Sequence, residues 1–122
     1  MKINTLEVDG VVIAELVSDG IELSKEQDAV DLMGSCYNLK TQKIIIYEKN
    51  IDPSFFDLKT RVAGAILQKF VQYGFSIAIV GDFSKFTSNA LKDFIYESNK
   101  LGVINFVSSV DEAKNKLSAK KS

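Results

Sequence analysis

Apolar positions recur with two periods along this chain, and the switches between them outline its elements. "KINTLEV" alternates, meets Asp9-Gly10, and is followed by the apolar run Val11 to Val17. Asp-Gly between two such runs predicts a β-hairpin. "KIIIYE" and "SIAIVGD" (Ser76 to Asp82) are continuous apolar runs of strand length, as in strands buried on both faces. "VINFVSS", Val103 to Ser109, predicts the last strand.

Between these runs the period lengthens to that of a helix. Ser24-Lys25-Glu26-Gln27 matches a capping box, and the helix behind it, about 25–33, would bury Ala29, Val30 and Met33, with Gly34 as its stop. A helix after Thr87 or Ser88 would bury Leu91, Phe94 and Ile95 and stop at Gly102. Ser109-Val110-Asp111-Glu112 is a second capping box, opening a short helix with Ala113 and Leu117 inside; 118–122 is expected to fray. The order ββαβαβαβα predicts one α/β domain over 1–122. Its five-stranded, single-layer sheet is mostly parallel, with an antiparallel edge strand from the hairpin.

The segment Tyr47 to Phe70 concentrates unusual chemistry. It holds the only proline, Pro53, adjacent Phe55 and Phe56, and a cluster of charges. Asp52 could cap a helix with Pro53 at its first position, or Asp57 could cap the main helix after a preliminary turn at Pro53–Phe56. The second arrangement is preferred, with the helix running to about Tyr73. Leu58, Val62, Ile66, Phe70 and Tyr73, widened by Ala63 and Leu67, form its core stripe. Asp57, Arg61, Gly64, Gln68 and Gln72 face outward, with Asp57 and Arg61 as an i,i+4 ion pair. Core packing is preferred for both Phe rings, though one could stay partly exposed toward a partner. Gly64 inside a helix is simply tolerated, serves packing within the domain, or leaves room for an approaching backbone or ligand.

Composition removes whole classes of function. The chain has no histidine and one cysteine, Cys36. Zinc fingers, zinc hydrolases and Ser-His or Cys-His triads are thereby excluded, and no catalytic residue, cofactor or metal site is assigned. No internal disulfide can form. No apolar run approaches ~18 residues, so no membrane span is expected. The N-terminus lacks the pattern of a signal peptide, which reads as cytoplasmic. A formal net charge of −1 gives no general attraction to nucleic acid or anionic membrane. Acids crowd residues 1–31 and bases the remainder, a set of solvated faces or an acidic patch for a basic partner.

Ligands of open α/β sheets bind beyond the carboxyl ends of the strands. Glu48 and Asp82 stand there, and Asn99 ends a helix nearby; together they are a candidate set for a small ligand or divalent cation. The same acids also suit bonds to backbone N–H groups of the loops that follow. No loop carries a nucleotide-binding glycine motif. Ser108-Ser109 stands at the last strand end, where response-regulator phosphorylation would want a lysine.

"FFDLKTRVAGAILQKFVQYGFSIAIVGDF" and "SNALKDFIYESNKLG" together resemble a bacterial family known as domain of unknown function 4180. The likeness runs over nearly the whole chain and implies no activity. That family would be expected to carry an acid where Ala65 stands and a second small residue near Arg61, so no role of that acid carries over. The element order also resembles the sulfate-transporter and anti-sigma-antagonist (STAS) fold. That topology implies a regulatory domain whose second helix, with the loop before it, docks a protein partner. The positions are Phe56, Asp57, Thr60, Arg61, Gly64 and Gln68. The Asp-Ser-x-Gly phosphorylation signature of that fold is missing; Ser54 and Thr60 are the only hydroxyls near. The edge hairpin and the exposed helix face both suit a homodimer.

Overall fold

A computed structural model describes residues 2–119. The expected order holds: β1 (Lys2–Val8), β2 (Val11–Val17), α1 (Glu26–Asn38), β3 (Lys43–Tyr47), α2 (Val62–Gln72), β4 (Ser76–Val80), α3 (Asn89–Leu101), β5 (Ile104–Val107) and α4 (Val110–Ser118). The sheet order is β1-β2-β3-β4-β5, antiparallel in its first pair and parallel in the other three. Asp9 and Gly10 both take positive φ, 52° and 82°, as a two-residue hairpin with the right-handed twist of its strands requires.

Each parallel crossover steps one strand in the same direction. Crossovers of one hand and one direction lay their helices on one face. The sheet's alternation shows this. Ala14, Leu16, Ile44, Ile46, Ile77, Ile79, Ile104 and Phe106 point into one core with α1, α2 and α3. Ile13, Ile45, Ala78 and Val107 point the other way, against Ala113 and Leu117 of α4. Ser109 caps α4 through the Glu112 N–H, while the Glu112 carboxylate accepts from Ser108 N–H, one residue earlier than a strict capping box.

Several local expectations need correction. Helix α1 does not stop at Gly34; it continues to Asn38, because Cys36 is fully buried and one more turn of apolar contact outweighs the glycine. Its capping acid is Asp28, not Gln27: the carboxylate accepts from the N–H groups of Ser24 and Lys25 and from the Ser24 hydroxyl. Leu32 is buried with Ala29 and Met33, whereas Val30 is half-buried. Tyr73 is half exposed and stands outside the α2 core stripe. The tail at 120–122 lies outside the described residues, and Ser118 still belongs to α4.

Candidate functional site

Between Tyr47 and Val62 the backbone makes three successive 3₁₀ turns, at Glu48–Asn50, Pro53–Phe56 and Leu58–Thr60. Asp52 and Asp57 each cap a 3₁₀ turn, and neither caps α2. Asp52 accepts from Ser54 N–H at 2.9 Å, and Asp57 accepts from Lys59 N–H at 3.2 Å. The Ser54 N–H and hydroxyl hold the Asp52 carboxyl below its ordinary pKa. Asp57 does not cap the main helix, however. Arg61 takes a left-handed conformation, φ 64°, which breaks the run and starts α2 at Val62. Asp57 and Arg61 therefore do not share a helical face, and no ion pair joins them. The Thr60 hydroxyl lies 2.7 Å from Ser54 O and 2.8 Å from Asp57 O, which locks the last turn onto the one before it.

The two phenylalanines separate. Phe55 is buried in the main core, while Phe56 packs against that core and stays half-buried. Phe56 stacks on Phe86 at 4.9 Å between centroids. Phe83 and Phe86 flank one 3₁₀ turn, and residues three apart on such a turn project to the same side. That spacing in "GDFSKF" was the available signal for an aromatic wall.

An open cleft of about 390 Å³ lies at the carboxyl ends of the strands. Ile21, Ile51, Pro53, Phe56 and Phe86 form its apolar walls, and Glu48, Lys49 and Lys85 its charged ones. The strand order never reverses between β2 and β5, so no topological switch point opens this cleft; loops build it. Their anchor is Asn50, which is fully buried. Its Nδ2 donates to Ser18 O and Gly20 O, both at 2.8 Å, and its own carbonyl accepts from Glu22 N–H and Leu23 N–H. One residue thus fixes the 18–23 loop, with Ile21, against the segment after β3. Nothing in periodicity or charge marks Asn50, since an asparagine in a polar stretch reads as solvated.

The expected ligand set is only partly assembled. The Glu48 carboxylate enters the cleft, but both oxygens are engaged: Oε1 accepts from Asp82 N–H at 3.3 Å and Oε2 pairs with Lys85. The Asp82 carboxylate turns to the Ser84 hydroxyl and N–H, which hold it below the ordinary range. Asn99 is not part of the cleft lining. Its Oδ1 accepts from Phe106 N–H at 2.6 Å and its Nδ2 donates to Phe106 O at 3.2 Å, on the outer edge of β5. Among the described residues no three acids or cysteines gather as cation ligands. Arg61, Gly64 and Gln68 are all exposed, on the outer face of α2 and its start.

The sequence matches the model of a family described as "Domain of unknown function (DUF4180)" over residues 8–117. No curated protein matches it. Among solved structures, the fold is similar to a crystal structure of a proposed anti-sigma factor antagonist from Thermotoga maritima. The two are 16% identical, the alignment covers 96% of this chain and 95% of that one, and the TM-score is 0.45.

Proposed function

The chain belongs to the DUF4180 family of domains of unknown function, and from that premise we propose that it is a non-enzymatic, STAS-like regulatory domain that docks a protein partner. The docking surface is the outer face of α2 with the joint before it: Phe56, Asp57, Thr60, Arg61, Gly64 and Gln68.

Gly64 carries this reading. A glycine inside a helix costs about 1 kcal/mol against alanine. Packing within the domain does not account for it, because no atom outside its own helix backbone lies within 4 Å of where its Cβ would stand. Gly34 in α1 has the same open space, and on our reading the space at Gly64 admits the backbone of another molecule because it adjoins the joint. The joint adds to the argument. Its last two turns are held by Asp52, Asp57 and Thr60, so the surface needs little ordering on association, which lowers the entropic cost of binding.

The test is affinity capture from source cells followed by mass spectrometry and sedimentation. Arg61→Glu and Gly64→Leu are compared with wild type and with Lys114→Glu on α4. A set of proteins, or a second copy of this chain, retained by wild type and Lys114→Glu and lost by the two α2 variants supports the surface. Identical recoveries from all four proteins, each folded by circular dichroism, overturn it.

A further inference from the structure

We propose that the strand-end cleft binds a small monocarboxylate bearing an apolar body. This goes beyond partner docking and shares only Phe56 with that surface. Among the described residues Glu48 is the only acid lining the cleft, and each of its oxygens is engaged, by Asp82 N–H and by Lys85. With an ammonium already on one oxygen and a backbone N–H on the other, it is a poor attractor for a second cation or an amine. The Lys85 side chain remains 54% exposed, and Lys49 is exposed beside it. With Glu48 neutralising one ammonium, the lining keeps one positive charge, so the complementary head group is a single anion.

The walls select the rest of the molecule. Ile21 is half exposed and lines the cleft, where it offers apolar surface for a ligand to cover. Ile51, Pro53 and the stacked Phe56–Phe86 pair complete an apolar surface around the two ammonium groups. A volume of about 390 Å³ is near the lower end for small-molecule sites, which fits a compact acid. Asn50 fixes one wall and Glu48 fixes Lys85, so the cleft is formed before anything binds.

The experiment is an amide-shift NMR titration of the full chain with three matched probes: 3-phenylpropionate, 3-phenylpropionamide and 3-phenylpropylammonium. The carboxylate is expected to bind at millimolar or tighter affinity and move the amides of Lys49, Ile51 and Phe86. The neutral amide should bind roughly tenfold more weakly and the ammonium not at all, in line with the affinity a single charged contact carries. In Lys49→Gln/Lys85→Gln the order should invert, because Oε2 of Glu48 is released. Ile21→Glu, at an exposed position, should abolish carboxylate binding while leaving the spectrum of a folded protein. Equal response to all three probes, shifts centred elsewhere, an unchanged order in the double variant, or no shift for the carboxylate each overturns the proposal. None of these outcomes bears on Arg61 or Gly64, so the docking surface stands or falls separately.

Discussion

Glu48 and Gly81 interlock: a methyl group on Gly81 would stand 2.6 Å from Oε1 of Glu48 and 2.7 Å from its Cβ. The ends of β3 and β4 come together here without a side chain on the second. Gly81→Ala must push Glu48 aside, breaking its bond to Asp82 N–H and its pairing with Lys85. The expected loss is about 1–3 kcal/mol, as for other overpacked positions, read as a lower urea midpoint. A midpoint equal to wild type would show that Glu48 gives way freely.

Gly64→Ala has the opposite sign. The new methyl group meets nothing, and helix propensity improves, so stability should rise by about 0.5–1 kcal/mol. Arg61→Gly should also stabilise, by roughly 1 kcal/mol, since φ 64° costs a residue with a side chain but not glycine. If both variants gain stability and Gly64→Leu and Arg61→Gly lose the partner, stability at this surface is traded for binding. A fall in the thermal midpoint of either stabilising variant would contradict the geometry.

Asn99 substitutes for a missing strand. The outward N–H and C=O of Phe106 both bond its amide, so the free edge of β5 is satisfied by a side chain. Asn99→Ala should raise hydrogen exchange at Phe106 and cost about 1–3 kcal/mol. Asn99→Asp keeps the acceptor and loses the donor, so Phe106 N–H should stay more protected than in the alanine variant. Equal exchange in all three proteins would remove this role.

A buried thiol and a partly buried phenol make the protein labile to alkali. Burial pushes the Cys36 thiol up to about 11 from 9.0. Burial, and then the hydrogen bond and charge of Glu15, push the Tyr47 phenol up to about 12 from 10.0. In both cases the unfolded state gives up its proton first, so the folded state holds more protons. Stability should be level below pH 9, fall between 9 and 11 through Cys36, and fall from 10 to 12 through Tyr47. The Cys36 share is on the order of 2 kcal/mol. Urea midpoints across that range should slope downward, and Cys36→Ala should flatten the part between 9 and 11. A thiol that reacts with Ellman's reagent in the native protein at pH 8 would contradict the burial.

The alternation of "KINTLEV", the turn at Asp9-Gly10 and the unbroken runs "KIII" and "SIAIV" carry the fold, because burial on one or both faces leaves a periodic trace. The exceptions share a cause. Local preference ends a helix at Gly34, and tertiary burial of Cys36 carries the chain through it. Periodicity puts Arg61 on a helical face, and its left-handed backbone, which no composition rule favours, puts it at a break. Glu48 is recognisable as a strand-end acid, but its partner Lys85 and the aromatic wall come from a different loop. Asn50 is the least legible: its four hydrogen bonds run to residues about thirty positions away, and a single asparagine leaves no pattern.

The strand order has a consequence for how the protein is made. Every strand pairs with the one synthesised just before it, so no pairing must wait for a distant segment. Each strand-and-helix step can add to the sheet as it emerges, with only short loops to close, which favours fast folding and leaves few long-lived open edges for aggregation. Helix α4 is the exception, because it returns to the opposite face across β2, β3 and β4. The nascent chain therefore keeps that face of its sheet bare until α4 has emerged.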